Sequence, residues 1–300
     1  MSLVMFMDDY RCSCSVVVSI FLTFSYVLSL YVWRTNLSRD HPSTIKRRFF
    51  SVSVMMLLTP FFINLFFTED TLNKGDLFTL LGLRWSGMIP AVFGPLLLTA
   101  ILFMGPLSMQ VYSGAWKLYT NPMYWLSSWR DLVWIRNHVM APLSEEWVFR
   151  ACMTPLLLQC LKPLTAVFVG PILFGIAHFH HMVEQIKTGL AFKTALMISS
   201  KFKENYLDTD IWKLKKIPSP YVTFEGPLIN RHVILFTNIF IVHMFCNHMG
   251  FPDFGEIFEF PPLQRVVIAC CFVLGLVMWY FLLVPMTSPE IYDNRLEWET

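Results

Sequence analysis

Three stretches of this 300-residue chain, 16–32, 49–67 and 266–284, contain no acidic or basic side chain and are apolar over most of their length. At 1.5 Å per helical residue, each approaches the roughly 30 Å thickness of a bilayer core. Lipid offers no hydrogen-bonding partner to a peptide group, so such runs commit the chain to helices that satisfy their own backbone. Composition agrees, with 55% hydrophobic and 15% charged residues, more apolar and less charged than a soluble domain. The predicted fold class is all-α: a polytopic integral membrane protein built as a helical bundle of about six to eight transmembrane helices. The lipid bilayer is thus its first partner. A formal net charge of +2, with no basic stripe interleaved with aromatics, excludes nucleic acid as a partner.

Arg34, Arg39, Lys46, Arg47 and Arg48 face a single Asp40 between the first two runs, and short loops with such a basic excess stay cytosolic. This places the N-terminus on the lumenal side, together with segment 68–87 and its Glu69, Asp70 and Asp76. A third span over 88–109 returns the chain to the cytosolic side. The first run leads into Tyr31 and Arg34 instead of a small-residue cleavage site, so it reads as a retained helix. Segment 112–140 carries Trp116, Trp125, Trp129 and Trp134 beside Lys117, Arg130 and Arg136, the composition of helices lying near headgroups. Pro142 and Ser144 predict a new helix running to about Leu161, with Ser144 as its N-cap. Pro163 separates it from a helix over 164–181. Between 184 and 231 the chain turns polar, with one short apolar patch at 194–200, before apolar character resumes at 232–249. The predicted organisation is an N-terminal tail 1–15, a membrane domain 16–286 containing an unusual polar insert 184–231, and a polar tail 287–300. Cys152, Cys160, Cys246, Cys270 and Cys271 lie in or beside apolar segments and read as buried thiols, and Cys12 and Cys14 as unmodified thiols.

Ionisable side chains at membrane depth are expensive and mark either function or tight pairing. Three groups qualify. The first is Glu145, Glu146 and Arg150 in an EExxxR pattern. Glu146 and Arg150 stand one helical turn apart and can pair, and Glu145 points about 100° away. Glu145 is either a spare carboxylate beside a structural ion pair or a general base for water, a role suited to a carboxylate in a dry pocket. The second is Phe174 and His178 in an FxxxH pattern, followed by His180 and His181. It is either an interfacial cluster or a site whose working residue is His178. The third is His243 and Asn247 in an HxxxN pattern, which puts an imidazole and an amide on one helical face. They either bind a developing oxyanion or hold two helices together.

Several other chemistries lack their motifs. There is no HExxH, no GxSxG, no phosphate-binding GxxxxGK, no CxxC pair and no aspartate inside a clear span. A metal site built from Glu145, His178 and His243 is chemically possible, since these are zinc-ligating residue types.

EExxxR at 145–150, FxxxH at 174–178 and HxxxN at 243–247, in that order on a multi-span chain, resemble the type II CaaX prenyl endopeptidases, a family of glutamate-type intramembrane proteases. Flanking residues add to the likeness: Tyr31 to Arg34, Arg39 to Pro42, Ile45 to Arg48, Ala141 and Pro142, Phe149 to Cys152, and Asn247 to Pro252. The resemblance covers most of 16–290. It implies a helical membrane hydrolase of the endoplasmic reticulum, multi-pass, whose active site is reached from the cytosolic side. Its substrates would be farnesylated or geranylgeranylated CaaX proteins such as Ras-like small GTPases, from which it would remove the C-terminal aaX tripeptide. By resemblance, Glu145 and His178 activate water, His243 and Asn247 form the oxyanion hole, Glu146, Arg150 and Phe174 support them, and no metal or other cofactor is required. The isoprenoid partitions into lipid, so the implied cavity opens both to the cytosolic face and sideways to the bilayer. The chain departs from the family around 201–220, where a further apolar span is usual and this sequence is polar. Two other readings of the same residues are a metal-dependent protease and a catalytically inactive scaffold or transporter of the same fold.

Overall fold

The computed structural model describes residues 3–83, 85–187, 236–250, 252 and 254–292. Those residues are helical or irregular, with no strand among them. The polar insert lies outside the described residues from 188 onward, as does the tail from 293.

Helix α1 (Leu3–Tyr31) begins well ahead of the apolar run. Its inner face carries Ser15, Ser19 and Thr23, all fully buried, beside Val18, Leu22 and Tyr26. Burying these hydroxyls is tolerable because two of them bond back to their own helix, Ser19 to the Ser15 carbonyl at 2.8 Å and Thr23 to the Ser19 carbonyl at 2.9 Å. Small side chains let neighbouring helices approach closely. On the opposite face Val17, Phe21, Phe24 and Leu28 are exposed, as a lipid-facing surface would be. Helix α2 (Pro42–Asn64) starts at a His41 cap with proline in its first turn. Its N-terminal Lys46, Arg47 and Arg48 leave 49–64 as the apolar part, about 24 Å of helix.

The expected single span at 88–109 is two helices, α3 (Met88–Leu102) and α4 (Met104–Tyr112), bent by 70° at the break. Pro106 is the reason: it has no N–H for the Leu102 carbonyl, so the ladder fails one turn before it. Helix α8 (Pro262–Met286) seats in this elbow. Gly275 of α8 lies so close to the break that an added Cβ would sit 2.5 Å from the Ile101 carbonyl oxygen, and the Phe272 ring covers Gly105.

The 112–131 segment holds two short helices, Trp116–Tyr119 and Pro122–Ser128, with Trp116 and Trp129 exposed. The helix expected to open at Pro142 and Ser144 in fact starts ten residues earlier. Helix α5 runs without interruption over 132–158, capped by Asp131, whose Oδ1 accepts the Val133 N–H at 2.9 Å. It contains two wider π-helical stretches, Arg136–Met140 and Glu146–Cys152. Each precedes a proline, Pro142 or Pro155. A proline ring inside an α-helix collides with the carbonyl four residues back; a widened turn moves that carbonyl aside. This is why Pro142 does not start a helix here. Gln159 ties the end of α5 to two other elements, donating to Phe66 O at 2.9 Å and Ser15 Oγ at 2.5 Å while accepting the Thr68 N–H at 3.0 Å.

Helices α6 (Pro163–Lys187) and α7 (Phe236–Met249) complete the surroundings of the site. Gly250, at φ +67°, terminates α7 by returning its N–H to Cys246 O at 2.8 Å. The main core joins α1, α2, α5 and α6 through Leu22, Tyr26, Val52, Ile63, Phe149 and Phe174.

Among the described residues, Ser13–Tyr31 of α1 and the whole of α8 are long and apolar enough to cross a membrane, and the bent α3–α4 pair makes a third if taken as one span. The apolar parts of α6 and α7, Phe168–His180 and Ile239–Met249, are shorter. An all-α membrane bundle is thus what the described helices form, with several of their apolar segments divided by bends. The thiol expectation needs correcting as well: Cys152 and Cys246 are buried, but Cys271 is only half-buried and Cys270 is exposed on the apolar surface of α8. Cys14, Cys152, Cys246, Cys270 and Cys271 are free, whereas Cys160 is disulfide-bonded.

The elbow yields a stability test. Gly275→Ala should force its new Cβ against backbone and cost about 2 kcal/mol, the range of ordinary overpacking. Thermal unfolding in detergent should show a lower midpoint for this variant and none for Gly170→Ala, whose Cβ would meet nothing within 4 Å.

Candidate active site

Glu145 ends an α-helical turn, Ala141–Glu145, and Glu146 begins the second wide stretch of α5. Consecutive helical residues point about 100° apart, so the two carboxylates face different neighbours. Such widened turns are rare and concentrate at functional sites.

Glu146 turns inward, its side chain only 2% exposed. Its Oε1 accepts a hydrogen bond from His243 Nδ1 at 2.5 Å and lies 3.4 Å from Arg150 Nη1. The ion pair that the one-turn spacing implied is therefore present, and His243 of α7 joins it. Arg150 is in turn placed over the Phe174 ring, with Cζ 4.3 Å from the centroid, a cation–π contact that holds a charge in apolar surroundings. Phe174 packs edge-on against Phe149 at 5.2 Å, and Phe149 against Tyr26 at 5.4 Å. Ser144, expected as a helix cap, instead shares a hydrogen bond with the Tyr26 hydroxyl at 3.0 Å. Trp147 anchors the neighbouring face by donating to Met56 O of α2 at 2.8 Å.

Glu145 is the more open carboxylate, 16% exposed. Its Oε1 lies 3.9 Å from His178 Nε2 and its Oε2 lies 3.7 Å from His243 Nε2. These separations exceed a direct hydrogen bond. The protons on the rings follow from their other partners. His178 Nδ1 lies 2.8 Å from Phe174 O; a carbonyl only accepts, so Nδ1 carries a proton and Nε2 is the ring nitrogen left facing Glu145. Glu146 orients His243 in the same way, again leaving Nε2 toward Glu145. Two carboxylates, one guanidinium and the His243 imidazole thus meet in a largely buried cluster.

Asn247, one turn beyond His243, donates its Nδ2 to Asn137 O in the first wide stretch, at 3.0 Å. Glu145, Glu146, Arg150, Phe174, His178 and His243 thus form one contact set, and Asn247 is fastened to the same two helices beside it. His180 Nδ1 bonds Ala177 O at 2.5 Å, and its ring meets Tyr31 at 5.7 Å. His248 joins an aromatic group with Tyr119, Trp125 and His138. The side chain of His181 lies outside the described residues. Among the described residues, no group of three or more His, Cys, Asp and Glu side chains is disposed to hold a metal ion.

Three participants were not singled out from the sequence. Tyr26 is a hydroxyl within the first apolar run, and a buried tyrosine needs a partner; that was its only signal. Tyr26's partner, Ser144, was visible but read as a cap. Asn137 contributes its backbone carbonyl, which no side-chain pattern marks.

The burial difference between the glutamates separates their contributions to stability. Glu146→Ala leaves Arg150 buried without its carboxylate and should cost about 3 kcal/mol, whereas Glu145→Ala should stay within about 1 kcal/mol of the parent. Thermal unfolding of the two purified variants should show a large fall in midpoint for the first and a small one for the second.

The family model described as Type II CAAX prenyl endopeptidase Rce1-like matches residues 127–284, the region that carries Glu145, Glu146, Arg150, Phe174, His178, His243 and Asn247. CAAX prenyl protease 2 of Homo sapiens is 39% identical over 295 residues, covering 94% of this chain and 84% of that protein. The protein of the same name in Rattus norvegicus is 38% identical, covering 92% and 82%. Probable CAAX prenyl protease 2 of Schizosaccharomyces pombe is 32% identical, covering 80% and 82%. No solved structure matches the chain. With a family model over more than half its length and relatives above 30% identity over nearly all of it, the chain belongs to the type II CAAX prenyl endopeptidase family.

Proposed function

We propose that this membrane protein is an endopeptidase that removes the aaX tripeptide from prenylated CaaX proteins, Ras-like small GTPases among them. The observation that carries the reading is Glu145, the more open glutamate, facing the Nε2 atoms of both His178 and His243.

In the proposed reaction Glu145 takes a proton from a water held between it and His178, and the hydroxide oxygen bonds to the carbonyl carbon that follows the prenylated cysteine. The carbonyl oxygen becomes an oxyanion, which accepts hydrogen bonds from His243 and the Asn247 amide. The C–N bond then breaks and the proton held at Glu145 passes to the leaving nitrogen, releasing a cysteine carboxylate and the free tripeptide. Glu146 and Arg150 act indirectly: Glu146 orients the His243 ring, and Arg150 holds Glu146.

The proposed site is in the endoplasmic reticulum membrane with its active centre open to the cytosol. Support comes from the basic stretch that leads into and opens α2, where Arg47 lies over Trp33 at 6.0 Å and Arg48 over Tyr31 at 5.1 Å. Basic residues beside aromatics are typical of a cytosolic membrane boundary. Arg136 of α5 meets Asp40 of this stretch at 2.6 Å, so the basic boundary and the helix that carries the glutamates are physically joined.

Reconstituted protein should release the tripeptide from a farnesylated CaaX peptide, as followed by mass spectrometry. Glu145→Ala should lower the rate by about 10²–10⁴-fold, the usual worth of a general base. Undiminished cleavage by Glu145→Ala would rule out the mechanism. A wild-type protein that binds the peptide and never releases the tripeptide would rule out the activity.

A further inference from the structure

The first wide stretch of α5 leaves one carbonyl with an unusual fate. In an α-helix the Asn137 carbonyl would accept the N–H of Ala141, four residues on. That N–H goes instead to Arg136 O, five residues back. In the widened register the next donor to Asn137 O would be the N–H of residue 142. Residue 142 is proline and has none. The Asn137 carbonyl thus loses one backbone donor to the change of register and the other to covalent structure. A carbonyl withdrawn from water without a partner is costly, and the half-buried Asn137 carbonyl takes its partner from another helix, Asn247 Nδ2 of α7 at 3.0 Å.

We infer that Pro142 is a positioning residue, whose missing N–H reserves the Asn137 carbonyl for the Asn247 amide and thereby aims that amide at the reaction centre. A carboxamide nitrogen carries two hydrogens in a rigid plane. Tying one to Asn137 O fixes the direction of the other, and the accepting carbonyl also determines which end of the amide is nitrogen. The same bond sets the rotation and depth of α7 against α5, one turn from the His243 contact with Glu146. The inference rests on the proposed reading of Asn247 as an oxyanion donor. What it adds is that this donor is aimed by a proline three residues before Glu145.

Pro142→Ala supplies the withheld N–H, which can then compete for Asn137 O and release Asn247. Alanine is also the better residue in a helix interior, so the unfolding midpoint should be unchanged or higher while kcat falls. The decisive experiment measures kcat, KM and unfolding midpoint on a farnesylated CaaX peptide for the parent, Pro142→Ala, Asn247→Ala and the double variant. Expected are a loss of about 10²-fold in kcat for Asn247→Ala and about 5-fold for Pro142→Ala with KM little changed. The double variant should match Asn247→Ala to within about twofold, because Pro142 acts only through Asn247. An α-hydroxy acid at position 142, whose ester link also lacks an N–H, should restore kcat to the parent value.

If the two losses multiply, or if Pro142→Ala lowers the unfolding midpoint, Pro142 does not work through Asn247 and the inference falls while the reading of Asn247 stands. If Asn247→Ala retains full kcat, the oxyanion reading itself is wrong.

Discussion

The buried contact between Glu146, Arg150 and His243 is the constraint around which the rest of this structure is arranged. Removing two opposite charges from water is repaid only when geometry is tight and further hydrogen bonds complete the shell. Here the carboxylate is shared between a guanidinium one turn along the same helix and an imidazole from α7, and the guanidinium is covered by Phe174 of α6. Three helices must therefore converge before any of these charges is tolerable. The convergence leaves Glu145 beside two imidazole Nε2 atoms, so the structural ion pair and the candidate chemical group are consequences of one packing event.

The widened turns of α5 let this happen on a single helix. They admit Pro142 and Pro155 without a break, and they redirect carbonyls that an ordinary helix would consume. The long helix can then be pinned from both sides, by Tyr26 and Met56 on the α1–α2 side and by His243 and Asn247 on the α7 side. On the lipid side the same rule operates in reverse. The α8 surface is apolar and mostly exposed, and it fits closely through Phe272 and Gly275 against the α3–α4 elbow.

Membership of the type II CAAX prenyl endopeptidase family agrees with this arrangement, since the matched region begins just before α5 and ends near the close of α8. Within it the two glutamates divide by environment. Glu146 is sealed among charges and aromatic rings. Glu145 keeps partial exposure and faces groups able to exchange protons. This division, more than the mere presence of two carboxylates, is what supports the proposal that Glu145 activates water.

Much was legible in the sequence. Charge-free runs required helices in lipid, since no other backbone arrangement satisfies itself there, and the one-turn spacing of Glu146 and Arg150 implied their pairing. The three ordered patterns also marked Glu145, His178, His243 and Asn247 before any geometry was known. What local sequence misjudged were features decided by neighbours several helices away. Pro142 read as a helix start because a widened turn has no sequence signature, and Ser144 read as a cap because its partner Tyr26 is 118 residues distant. Residues 88–109 read as one span because the elbow is stabilised by Phe272 and Gly275 of α8. The sequence alone determined that this chain is a membrane helix bundle carrying a glutamate pair with histidine partners. Only the tertiary structure decided which glutamate each histidine meets, because that depends on how three helices rotate against one another, and rotation is set by packing across the whole bundle.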